Sequence, residues 1–80
     1  MSQSDDLLAH AYFTEFTQTF PQARRLSRPA VTVAKHTVQR TVTVALTGLT
    51  VHGTPATCAL TVPKKVGSIL TRLLREEYAR

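Results

Sequence analysis

Large apolar side chains recur every fourth residue near the start of the chain, at Leu8, Tyr12, Phe16 and Phe20. Positions four apart stand one above another on a helix, so this ridge, widened by Ala9 and Phe13, predicts a helix from Ser4 to near Phe20 with one buried side. Ser4 suits the N-cap, and Asp5 and Asp6 fall in the first turn, where free N–H groups favour negative charge. His10, Thr14, Thr17 and Gln18 take the polar side, and Pro21 ends the helix.

The fourfold spacing is then lost. Gln22 to Pro29 reads as a connector carrying Arg24, Arg25 and Arg28. Beyond it Val and Thr alternate, which is the period of a strand whose successive side chains face opposite ways. Val31 and Val33 predict a first strand at 30–36, and Val38 or Val42, with Val44 and Leu46, a second. Two arrangements satisfy the pattern around Thr47-Gly48. A two-residue turn there sets Leu46 opposite Leu49 and Val44 opposite Val51, both pairs on one face, which predicts a hairpin. One long strand with a bulge at Gly48 keeps the same face. His52-Gly53-Thr54-Pro55 reads as a turn, and Cys58, Leu60 and Val62 alternate through a last strand.

Pro63 opens a second helix at a position where its missing N–H costs nothing. Val66, Ile69, Leu70, Leu73 and Leu74 supply its core-facing stripe. The expected fold is α+β: a helix, a three- or four-stranded antiparallel sheet, and a helix. Thr41, Thr43, Thr50, Thr57 and Thr61 make the other strand face polar, so both helices are expected on the aliphatic face, in two layers. No repeat or linker interrupts residues 1–80, which read as a single small basic domain and a complete short gene product, frayed at 1–4 and 78–80.

Composition changes this picture in three ways. A chain of 80 residues buries only about 60% of its unfolded surface, so its stability margin is thin. A homodimer is therefore favoured, through the sheet edge or through the Leu74–Tyr78 end of the second helix. The single cysteine, Cys58, allows no internal disulfide, and a reduced, cytoplasmic location is expected. The first twenty residues lack the pattern of a signal peptide, and no apolar run reaches the roughly 18 residues of a membrane span, so no membrane partner is expected.

Charge is the most informative feature. Between Phe16 and Arg75 stand nine of the ten Lys and Arg residues and no Asp or Glu, a formal +9 within a chain of net +5. Such a field favours phosphate backbones or acidic protein surfaces. Lys64 and Lys65 open the second helix and Glu76 and Glu77 close it, both against the helix dipole. A bound anion would reward two lysines beside free N–H groups. Lys64, Lys65, Arg72 and Arg75 project from one polar face, and Arg24, Arg25 and Arg28 form a second cluster; these seven are the candidate site. The bland reading of the helix is a solvated face that happens to be basic.

Catalysis and cofactors are poorly provided for. Asp5 and Asp6 do not converge with Glu76 and Glu77 on one place, as acid–base chemistry requires. Cys58 shares the parity of Leu60 and Val62 and points into the core, where a thiol behaves as a small hydrophobe. His10, His36 and His52 have no metal-ligand spacing, and Gly48, Gly53 and Gly67 match no phosphate loop. No enzyme, metal or cofactor is expected. All five aromatics, Tyr12, Phe13, Phe16, Phe20 and Tyr78, fall on helices, which disfavours single-strand binding by base stacking on a sheet.

The order of elements, with lysines opening the second helix, resembles the double-stranded RNA-binding domain. Thr41-Val-Thr-Val-Ala-Leu-Thr-Gly-Leu-Thr-Val-His-Gly53 is similar to that family's paired strands, and Pro63-Lys64-Lys65 to its basic helix start. The chain departs from it at Thr57–Val62, an apolar strand where the family has a short Gly/Ser turn, and at Ile69, Leu70, Leu73 and Leu74, which replace small alanines. The resemblance spans roughly half the chain and implies an architecture rather than a set of site residues. The expectation is a small nucleic-acid-binding or nucleic-acid-associated regulatory protein, its partner a duplex rather than a single strand. The alternative is a protein-interaction module, such as a phage- or plasmid-type inhibitor or accessory subunit, docking on an acidic protein surface by strand addition.

Overall fold

A computed structural model of the chain describes residues 3–79. Helix α1 spans Gln3–Thr19, a short 3-10 turn follows at Pro21–Arg25, strands β1 (Ser27–His36), β2 (Thr41–Leu49) and β3 (Pro55–Pro63) form the middle, and helix α2 spans Lys64–Tyr78. The three strands make one antiparallel sheet in the order β1-β2-β3. The class is α+β. The ends expected to fray lie outside the described residues at 1, 2 and 80, whereas Tyr78 closes α2. No helix among the described residues is long and apolar enough to cross a membrane.

Alternation sorts the strand residues as the pattern requires. Val42, Val44 and Leu46 of β2 and Cys58 and Val62 of β3 are buried in one cluster with Ala9 and Phe16 of α1 and with Val66, Ile69, Leu70 and Leu74 of α2. Leu8, Tyr12, Phe13 and Phe20 are half-buried against that cluster. The opposite sheet face is built from small polar and apolar side chains. On it Thr43 Oγ1 bonds Thr61 Oγ1 at 2.9 Å, and His36 Nε2 is hydrogen-bonded to the same Thr43 hydroxyl at 2.7 Å.

The hairpin expected at Thr47-Gly48 does not form, and neither does a bulge in that strand. β2 runs straight through Gly48, pairing it with Ala56, while the extra residue sits in the neighbouring strand. Ser27 pairs with Leu49 but Ala30 with Thr47, so β1 bulges at Arg28-Pro29, where Arg28 takes a φ of 52°. Gly48 is small for the sake of close approach and not for a turn: a Cβ there would stand 2.8 Å from the Leu26 Cβ. The reversal comes at Thr50–Thr54, which Thr50 organises by accepting the His52 and Thr54 N–H groups on its hydroxyl at 3.3 and 3.2 Å. Thr50 is thus a turn residue rather than part of the polar strand face. Val38, too, lies in a turn, Thr37–Arg40, and is exposed. The sheet has three strands because the second half of the supposed hairpin is this turn.

The Leu74–Tyr78 end of α2 has a cover within the chain. Leu74 is fully buried, and the Tyr78 ring lies 5.8 Å from the Phe16 ring with the Arg24 guanidinium 5.7 Å from its centre. That removes the reason to place a dimer contact there and leaves the sheet edges as open surfaces.

Candidate anion-binding groove between β1 and α2

Helix α2 rests on β1 and β2 at a point fixed by Gly67. A Cβ at Gly67 would stand 2.5 Å from Val42 Cγ2, so only hydrogen lets the helix come this close to the sheet. Thr71, one turn on, is buried and donates its hydroxyl to the Gly67 carbonyl at 2.7 Å, which keeps that polar side chain satisfied within the helix. A groove of about 440 Å³ opens between the helix and the outer strand β1. Its floor is Val33, Val42, Gly67 and Thr71, and its rim carries Lys35, Lys64, Ser68 and Arg75. An adjoining concavity is lined by Arg40, Pro63, Lys64 and Lys65, so Lys64 belongs to both.

The β1–β2 turn helps build the helix start. Arg40 has a φ of 54°, a left-handed backbone unusual for a residue with a Cβ, and its carbonyl accepts the Lys64 N–H at 3.0 Å. One free donor of the helix N-terminus is thereby satisfied, and the Arg40 and Lys64 backbones are held side by side.

Of the seven cations expected to form the site, the structure brings two, Lys64 and Arg75, to this groove. Lys65 turns toward α1 and lies 3.8 Å from Asp5, Arg72 pairs with Glu76 at 3.8 Å, and Arg24 pairs with Glu77 at 3.2 Å. Arg25 lies beside Pro21 and Gln22, and Arg28 forms the β1 bulge. Folding also supplies the acid that the first turn of α2 lacks in sequence, because Asp5 reaches Lys65 from the other helix. These pairs are exposed and worth little in stability, but they locally cancel charge.

Two cations of the site escaped the sequence reading. Lys35 has the parity of Val31 and Val33, and its register partner Val42 faces α2; that alternation was a signal available in the sequence. Arg40 had none, since its place depends on the turn docking on α2. Lys35, Arg40, Lys64 and Arg75 take part in none of the three ion pairs among the described residues.

Burial raises the pKa of the Cys58 thiol. Burial likewise raises that of the Tyr78 phenol, opposed by the nearby Arg24 charge and reinforced by Glu77 and Cys58. Neither group borders the groove. Among the described residues no three His, Cys, Asp or Glu side chains are grouped to hold a metal ion.

Compared with known proteins, the chain matches no family model, no curated protein and no solved structure. Within the resemblance to the double-stranded RNA-binding domain, Thr41–Gly53 is not a pair of strands: it is β2 followed by the Thr50–Thr54 turn, and β2 pairs with β1 and β3.

Proposed function

We propose that this chain is a small regulatory protein that binds nucleic acid, holding the sugar–phosphate backbone of a duplex on the basic surface around the start of α2. The observation that carries the reading is the gathering of Lys35, Arg40, Lys64 and Arg75 around two adjoining concavities, outside the ion pairs that occupy Lys65, Arg72 and Arg24. Phosphate contacts from four cations need no base readout and no aromatic platform. In this reading both helices form one layer over one face of the sheet, the site binds rather than catalyses, and a reduced cytoplasm suits the buried thiol.

The test is fluorescence anisotropy with duplex DNA and duplex RNA at two salt concentrations. Four phosphate contacts give a slope of log K against log[salt] near −3.6, or about a hundredfold loss between 50 and 200 mM salt. Replacing Lys64 and Arg75 by Ala should reduce that slope by about 2. Absence of binding to either duplex at about 50 mM salt refutes the proposal.

A further inference from the structure

The sheet is unfinished on one side. β1 is an edge strand, and the side chains it turns toward α2 are poorly covered: Val33 is 42% exposed and Val31 half-buried, while their register partners Val44 and Leu46 are wholly buried. β3, the other edge, is better covered, since its Cys58 and Val62 are buried and Leu60 between them is half-buried against the core. The bulge and Pro29 occupy the start of β1 and leave Ala30–His36 as a regular run whose outer backbone groups face no strand. Beside this run lies the groove, with an apolar floor that includes Val33 and a rim of Lys35, Lys64 and Arg75.

We propose that the Ala30–His36 edge takes a fourth strand from a partner protein, an acidic extended segment that alternates small apolar and carboxylate side chains. Main-chain hydrogen bonds to β1 supply the affinity, an apolar side chain covers Val33, and carboxylates meet Lys35, Lys64 and Arg75. A second copy of this chain is the wrong occupant, because pairing β1 with β1 would set two such cation groups beside each other. The assignment rests on the edge and its exposed valine, independently of the nucleic-acid reading. Because Lys35, Lys64 and Arg75 serve both ligands, the strand and a nucleic acid compete for the same surface.

The experiment uses the full ¹⁵N-labelled chain and a capped seven-residue peptide of alternating Glu and Val, with an alternating Lys and Val peptide as control. The acidic peptide should shift and protect from exchange the amides of Ala30–His36, leave those of β3 unchanged, and displace a labelled DNA duplex. Lys35→Glu, an exposed position, should weaken the acidic peptide at least tenfold; Lys35→Glu with Arg75→Glu should in addition gain binding of the Lys peptide. Chemical shifts of the core report that each variant is folded. No change in β1 at millimolar acidic peptide, or protection on β3 instead, overturns the assignment. The peptide and duplex arms are read separately, so failure of one leaves the other standing.

Discussion

Replacing Gly67 by Ala tests the contact that sets the height of α2 above the sheet. In an exposed helix interior this change stabilises by about 1 kcal/mol, since Ala loses less backbone entropy than Gly. Here the added methyl would meet Val42 Cγ2 at 2.5 Å, and Val42 is a buried, β-branched residue in the central strand with little rotamer freedom. Forcing a methyl into such a place costs about 1–3 kcal/mol. Gly67→Ala should therefore be destabilising by up to about 2 kcal/mol, a large share of the margin expected for a chain of this size. Val42→Ala removes the opposing methyls at a cost of about 2 kcal/mol. In that background Gly67→Ala should become stabilising by about 1 kcal/mol, so the double-mutant cycle should give a coupling of about 1–3 kcal/mol in favour of the pair. Urea unfolding followed by far-UV circular dichroism measures all four proteins. If Gly67→Ala stabilises both backgrounds equally, the helix does not lie this close to β2 and the groove beside it is misplaced.

Two buried groups give the remaining expectations. Cys58→Ser should cost about 1–3 kcal/mol by placing a hydroxyl without a partner in the core, and the native thiol should resist a maleimide until the protein unfolds; rapid labelling of the folded chain would contradict its burial. The Tyr78 hydroxyl is buried without a hydrogen-bond partner among the described residues, so Tyr78→Phe should raise stability by about 1 kcal/mol in the same urea assay. Cys58 and Tyr78 both have folded pKa values raised by burial, so their contribution is intact below the ordinary thiol range of about 8.5 and is lost as pH rises through the folded values. The unfolding midpoint should fall above that range and fall less steeply in Tyr78→Phe; equal slopes would show that Tyr78 ionises freely in the native state.

The elements that could be read from the sequence are those whose periodicity is local. The ridge from Leu8 to Phe20 and the stripe from Val66 to Leu74 repeat within one helix, and both helices stand where that spacing puts them. The inward set of β2 and β3 follows parity alone. Gly48 misled because a glycine between alternating apolar residues has two physical uses, a turn and a close approach, and the choice depends on Leu26, which lies 22 positions away in sequence. Thr50 carries the true reversal through side-chain hydrogen bonds to His52 and Thr54, a signal much weaker in sequence than a glycine.

The charge pattern shows why the site was harder to read than the fold. The window from Phe16 to Arg75 is free of acids only along the chain. In space Asp5 reaches Lys65 because α1 packs beside α2, Glu77 reaches Arg24 because the 3-10 turn meets the end of α2, and Glu76 pairs with Arg72 one turn back on the same helix. Folding leaves six described cations outside those pairs: Arg25 and Arg28 stand apart in the 3-10 turn and the β1 bulge, and four are gathered from three places, Lys35 from a strand edge, Arg40 from a turn, and Lys64 and Arg75 from one side of a helix. In the cluster Arg24, Arg25 and Arg28, prominent in sequence, Arg24 is taken by Glu77 while Arg25 and Arg28 fall on the 3-10 turn and the bulge, away from the groove, whereas a ligand is held by cations that share one surface. Lys35 meets that condition through strand parity and Arg40 through its carbonyl's bond to the Lys64 N–H. Strand parity thus makes one of the four legible, Lys35, while Arg40 joins Lys64 and Arg75 only through the docking of its turn on the start of α2.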